Sequence, residues 1–273
     1  MGSKSREFLR SKKALAVPVT YLLLFASLMA LISITYGFAV ARIGSRGTAL
    51  KASAARQNML FLDEAVQSVA WSSGASRVVS MDDFGGVFKT SPSAKSLVLS
   101  MMDGRLFNET VFNGTVGMAY CELEASDPGY EGFFMKGDER AILNSSGFSV
   151  AQLYFVTDHA QRLVLCYRPF ATAAAIGTVN GRPATLVRAY IASLNSTQSL
   201  IAQGSFHLRV TSEHIITETR QYIFNESTSS IALKAACDGR ADTVWLPVQS
   251  GPEGAAVQLE IVTCSISIQR MEV

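Results

Sequence analysis

ALAVPVTYLLLFASLMALISITYGFAVA, residues 14–41, contains no Asp, Glu, Lys, Arg or His. A helix needs roughly 20 apolar residues to cross about 30 Å of hydrocarbon, and this run is longer. Its polar members, Thr20, Ser27, Ser33 and Thr35, can return their hydroxyls to helix carbonyls. Pro18 lies near the start of the run, where proline removes no helical hydrogen bond. A soluble core helix is seldom this long or this free of charge. A cleaved secretory signal has an apolar core of about 7–15 residues and then a small-residue cut; here the core is about twice that, and helix-forming sequence follows it. The run therefore predicts a transmembrane helix over residues 14–41. Its anchor residues are Ala14, Leu15, Leu22, Leu23, Leu24, Phe25, Leu28, Leu31, Ile32, Phe38 and Val40.

Working outward, residues 1–13 form a basic head in which Lys4, Arg6, Arg10, Lys12 and Lys13 outnumber Glu7. The positive-inside rule puts such a head in the cytoplasm. Arg42, Arg46, Lys51 and Arg56 make the far flank basic too, so charge alone decides orientation weakly. The glycosylation acceptor triplets at Asn108, Asn113, Asn144, Asn195 and Asn225 favour an extracytoplasmic body. The net charge of +2 over 273 residues gives no reason to expect a nucleic-acid partner.

The junction Lys12-Lys13-Ala14-Leu15, a basic pair and a small residue ahead of a long apolar helix, resembles the processing site of archaeal type IV pilin-like and flagellin-like proteins. The resemblance covers residues 10–41. It implies that a peptidase trims the head after Ala14 and that the retained helix packs on sister subunits. Bacterial type IV pilins carry a glutamate at the fifth mature position, where this chain has Val19; archaeal members often lack it.

Residues 42–74 read as a helical extension rich in Ala, Leu, Lys, Arg and Gln. Ile43, Leu50, Ala54, Leu60 or Phe61, Ala65 and Val69 recur near helical spacing. Gly44 and Gly47 mark a candidate break, and Gly74 suits a left-handed stop. Unbroken from Ala14 to Ala70, the helix would be about 85 Å long. It would either pack on its own body or divide its length between body and neighbours. Ala26 with Ala30, and Gly37 with Ala41, are small-xxx-small pairs that permit close helix approach.

Residues 75–273 lose the helical period. Hairpins are expected around Asp82-Asp83-Phe84-Gly85, Met102-Asp103-Gly104, Lys136-Gly137-Asp138 and Thr157-Asp158-His159, with Ser126–Gly129 as a chain break. Pro169–Gly177 reads as a short helix or an extended link, and Asn180-Gly181 as a tight turn. Strands are expected over 185–194, 205–210, 215–224, 230–235, 243–248 and 256–270. Many short strands with turn residues between them suggest a sandwich, with a subdivision near 169–183 as the alternative.

No catalytic constellation emerges. His159, His207 and His214 have no HExxH or close Cys partner, and GxSxG, P-loop and GxGxxG motifs are absent. Asp82, Asp83, Asp127 and Asp238 are turn aspartates before they are calcium ligands. Cys121, Cys166, Cys237 and Cys264 are spaced by 45, 71 and 27 and fit no metal pattern; they are either candidate disulfide partners or buried small residues. Trp71 and Trp245 are expected to pack in the core, with stacking on sugar rings as the alternative.

The expected fold class is α+β: a long N-terminal transmembrane helix, then a mainly antiparallel β-sandwich ectodomain. The expected function is a non-enzymatic cell-surface glycoprotein, a pilin-like subunit without a cofactor, with the membrane and like subunits as partners. The alternatives are an anchored ectodomain that binds a ligand, glycan or partner protein without polymerising, and an enzyme whose pocket would join His207, His214 and Glu213.

Overall fold

The computed structural model describes residues 4–104, 107–123, 132–145, 147–157, 160–194 and 199–271, with side chains of the N-terminal helix described from residue 18 on except 45 and 48. His159, Asp127, residues 126–129 and the Asn195 acceptor lie outside the described residues, as do the side chains of Lys12, Lys13, Ala14 and Leu15. The chain divides into two units, Met1–Leu50 and Lys51–Val273.

Helix α1 runs from Lys4 to Val69. Residues 4–13 of the basic head are thus helical, and Pro18 falls inside the helix instead of in its first turn. Gly44 and Gly47 do not interrupt it. In the first unit, every described side chain from 18 to 44 is exposed. This helix is long and apolar enough to cross a membrane.

In the second unit one face of the helix is buried, but it is only partly the face expected: Ala65 and Val69 are buried and Ala54 is half-buried, whereas Leu60 and Phe61 are exposed, as are Ile43 and Leu50 in the first unit. Ala55, Met59, Leu62, Ala65, Val66 and Val69 are buried, at i, i+3, i+4 and i+7 spacings. The helix ends at Val69, and Gly74, at φ +79°, sits beyond it. It occupies the third position of a turn closed by Ala75 N donating to Ser72 O at 2.9 Å, where positive φ favours glycine.

Among the described residues thirteen strands follow: β1 (Ser76–Met81), β2 (Val87–Met102), β3 (Asn108–Leu123), β4 (Phe134–Lys136), β5 (Ala151–Thr157), β6 (Gln161–Tyr167), β7 (Phe170–Val179), β8 (Arg182–Ser193), β9 (Ile201–Gln203), β10 (Phe206–Phe224), β11 (Ser230–Cys237), β12 (Arg240–Pro247) and β13 (Ala255–Met271). They form a five-stranded sheet, β1-β10-β13-β8-β7, and an eight-stranded sheet, β12-β11-β2-β3-β6-β5-β4 with β9 on β2. Among these strands pairing is antiparallel except between β13 and β8, and Leu143 makes an isolated parallel bridge to Phe170. The α+β class and the mainly antiparallel body are therefore present.

Three expected hairpins form. β2 and β3 join through Asp103, whose Oδ1 accepts from Phe107 N at 3.1 Å. β5 pairs with β6 from Ala151 to Thr157. β7 and β8 turn at Asn180 and Gly181, both at positive φ (51° and 78°), as a two-residue hairpin requires.

Two others do not. β1 pairs with β10 and β2 with β3, β9 and β11, so Asp82–Gly85 crosses between sheets instead of closing a hairpin. Phe84 is buried in that crossing. After Lys136-Gly-Asp138 the chain returns as a loop, because the Asp138 carboxylate binds Arg140 N, Arg140 Nε and Arg168. Pro169–Gly177 is neither helix nor link: β7 is an edge strand. The subdivision near 169–183 is not seen in the pairing, since β10 pairs with β1 and β11 with β2.

Two cores result. Leu97, Leu99, Leu233, Val187 and Val257 belong to a core in which the sheets meet directly. Met59, Leu62, Phe88, Phe155, Leu165 and Ile266 belong to one in which the helix joins both sheets. Along β13, residues 255, 257, 259 and 261 serve the first core, and 264, 266 and 268 the second. Alternate residues point to opposite faces of a sheet, so the two cores meet the five-stranded sheet on opposite faces. β10 carries a bulge between Ser212 and His214 near this changeover.

Candidate functional site

The face of the five-stranded sheet that receives the helix is not covered along its whole width. Tyr190 of β8 is paired with Phe170 of β7 and with Val262 of β13, so these three share that face with Cys264. Where the helix ends, Trp71 meets Tyr190 edge-on, with ring centroids 5.3 Å apart and planes at 76°. Tyr190 in turn stacks on Phe170 at 6.4 Å and 30°. Trp71 is 46% exposed.

These rings form one wall of a groove of about 930 Å³. Its other lining includes Val66, Gln67, Lys136, Phe148, Ser149 and Tyr167. Trp71 and Tyr190 also border a second hollow of about 250 Å³, with Arg188, Ile215, Thr217 and Glu260. The groove, though not the smaller hollow, falls within the usual range for ligand sites, roughly 300–1,000 Å³.

Polar groups at the groove are held by a buried carboxylate. Asp63 of the helix is buried, and its Oδ1 accepts from the Tyr167 hydroxyl at 2.8 Å. Its Oδ2 accepts from Gln67 Nε2 at 2.8 Å and from Lys136 Nζ. Burial, then the Asp63 charge, pushes the Tyr167 phenol well above its ordinary value, so it stays a donor. Helix, β4 and β6 are thereby tied at one point.

The far wall is a loop organised by Arg168. This guanidinium is buried and donates to the carbonyls of Ser149, Asp138 and Arg140 and to Asp138 Oδ1 at 2.5 Å. Arg140 forks onto Asp138 and lies 3.9 Å above the Phe148 ring. Hydrogen bonds from Arg140 and then Arg168 hold the Asp138 carboxyl below the usual carboxylate range. Phe148 is thus presented, 49% exposed, by a scaffold of paired charges.

The residues singled out from sequence lie elsewhere, apart from Trp71. Both tryptophans were expected in the core, yet Trp71 and Trp245 are about half exposed, at 46% and 53%. Trp71 stands past the last helical turn, and Trp245 lies on edge strand β12, so neither position is enclosed. His207, His214 and Glu213 are exposed on β10 and line neither hollow. Asp238 forms a positive-φ turn with Gly239 between β11 and β12, and its Oδ1 accepts from Ser96 N. Among the described residues no group of three or more His, Cys, Asp or Glu could hold a metal ion.

Asn108, Asn113, Asn144 and Asn225 are all exposed. All four thiols are free. Cys121 and Cys264 lie in the helix-containing core. Cys166 sits 3.4 Å from Lys95 Nζ, and Cys237 is half-buried at the end of β11. Cys264 Sγ also donates to the carbonyl of Ala70, capping the helix end with Ser212 Oγ. Tyr190, Phe170, Phe148, Lys136 and Asp63 carried no local signal; Trp71 alone did.

No protein-family profile, no curated protein and no solved structure matches this chain.

Proposed function

We propose that the chain is a non-enzymatic cell-surface protein, held in the membrane by its N-terminal helix with the β body outside. In this reading it is a pilin-like subunit that associates with like copies through that helix. One observation carries the proposal. From residue 18 to 44 every described side chain is exposed, including Leu22 at 69% and Phe38 at 64%. Apolar surface left in water costs about 25 cal/mol per Å², so this helix needs lipid or sister helices as cover. Even a methyl group at Gly37 would meet nothing within 4 Å, which leaves this face open to a neighbour.

The test is the mass of the membrane-extracted protein. A pilin-like subunit loses residues 1–14, and replacing Lys12 and Lys13 by alanine blocks the trimming. An intact head in the native protein removes the assembly reading. It leaves the second one, an anchored ectodomain that binds a ligand, which the aromatic groove favours.

A further inference from the structure

We propose that the groove walled by Trp71, Tyr190, Phe170 and Phe148 binds an uncharged oligosaccharide. The inference concerns the body alone and holds whether or not the helix is trimmed or polymerises.

Three observations carry it. The first is the shape of the wall. Trp71, Tyr190 and Phe170 follow one another at 5.3 and 6.4 Å, and Phe148 stands in the same groove on another segment. A pyranose ring has apolar C–H faces and a rim of hydroxyls. Flat aromatic surface takes the faces, and polar groups must meet the rim.

The second is the distribution of polar atoms. Lys136, Gln67, Ser149, Thr172 and Tyr167 lie among the lining residues. The Gln67 side chain donates an amide N–H to Asp63 Oδ2, and its carbonyl oxygen is an acceptor. Such an arrangement offers both donors and acceptors, as a hydroxyl-rich ligand requires.

The third is charge. Lys136 is paired with Asp63, Arg140 and Arg168 with Asp138, and Arg188 with Glu260. An anionic ligand would compete with carboxylates already in place, so the site suits a neutral one. The second hollow lies across the shared Trp71 and Tyr190 rings, which favours a ligand several rings long over a monosaccharide.

The experiment uses the full chain carrying Trp245→Phe, so that Trp71 is the only tryptophan, in a zwitterionic detergent without a sugar headgroup. Maltotetraose, cellotetraose, mannotetraose and N-acetylchitotetraose are titrated against Trp71 fluorescence. The expected result is a saturable change with at least one of them, half-complete at about 1 mM or below. Phe148→Ala and Tyr190→Ala should each weaken it by roughly tenfold or more. Phe148 is on an exposed loop, so its variant stays informative if the Tyr190 variant unfolds. The proposal is overturned if none of the four saccharides gives a saturable change up to about 20 mM, a concentration that still reveals weak affinity. Affinity unchanged in the Phe148 variant also overturns it.

Discussion

Asn58 on the helix holds both backbone groups of Asp82. Its Nδ2 donates to Asp82 O at 2.8 Å, and its Oδ1 accepts from Asp82 N at 3.1 Å. Asn58 is buried, and the segment it grips is the crossing that carries the chain from one sheet to the other. Asn58→Ala should lower the unfolding free energy of the body by about 1–2 kcal/mol, two ordinary hydrogen bonds. Asn58→Asp should cost more, since a carboxylate would face the Asp82 carbonyl. Denaturant titration followed by near-ultraviolet circular dichroism measures both.

The Asp63 carboxylate gathers Tyr167, Gln67 and Lys136 onto the helix. Asp63→Ala leaves a buried phenol and a lysine without their acceptor. The expected loss is about 3 kcal/mol, the low end for breaking a buried pair because Lys136 is a third exposed. Replacing Asp63 and Lys136 together should cost less than the sum of the singles; an additive double mutant would contradict the coupling.

Acid should loosen the body through Asp138 and Glu122. Asp138 is held low by Arg140 and Arg168, and Glu122 by hydrogen bonds from Lys89 and then Arg162. A depressed carboxylate stabilises the fold above its unfolded pKa, about 3.9 for Asp and 4.3 for Glu. That contribution is lost as pH falls through the lower folded value. Stability should hold from pH 7 to about 5 and decline below 4. The decline should be shallower in Asp138→Asn, which starts from a lower neutral value.

Gly117 packs so closely on the carbonyl of Leu194 that a Cβ would collide with backbone. Gly117→Ala should therefore destabilise by about 1–3 kcal/mol, as overpacking does. Thermal melts of this variant and of Gly181→Ala separate crowding from turn strain, because the Gly181 site has open space and a φ of +78°.

Four thiols should titrate in denaturant without reductant, in keeping with the free cysteines. In the folded protein Cys237, half-buried, should react first with an alkylating reagent. Cys121 should react last, since burial drives its thiol up. Fewer than four titrating thiols would point to a disulfide.

What the sequence made legible was local. The apolar run, Ala65 and Val69 on the buried face of the helix, and the Asn180-Gly181 turn all follow from short-range spacing. Asp238-Gly239 carried the same turn signal. What stayed hidden depended on partners far along the chain. Asp82–Gly85 has a turn composition, but Phe84 and the Asn58 grip send the next strand to the other sheet. The alanines of β7 have weak strand propensity, yet pairing with β8 makes them a strand. The groove joins residues 67, 71, 136, 148, 170 and 190, so no window of sequence contains it.

The apolar helix as a membrane tether is tested most directly by washing isolated membranes at alkaline pH. The chain should remain with the membranes and leave only when detergent dissolves them. Recovery of the intact chain in the wash, free of lipid, would contradict it.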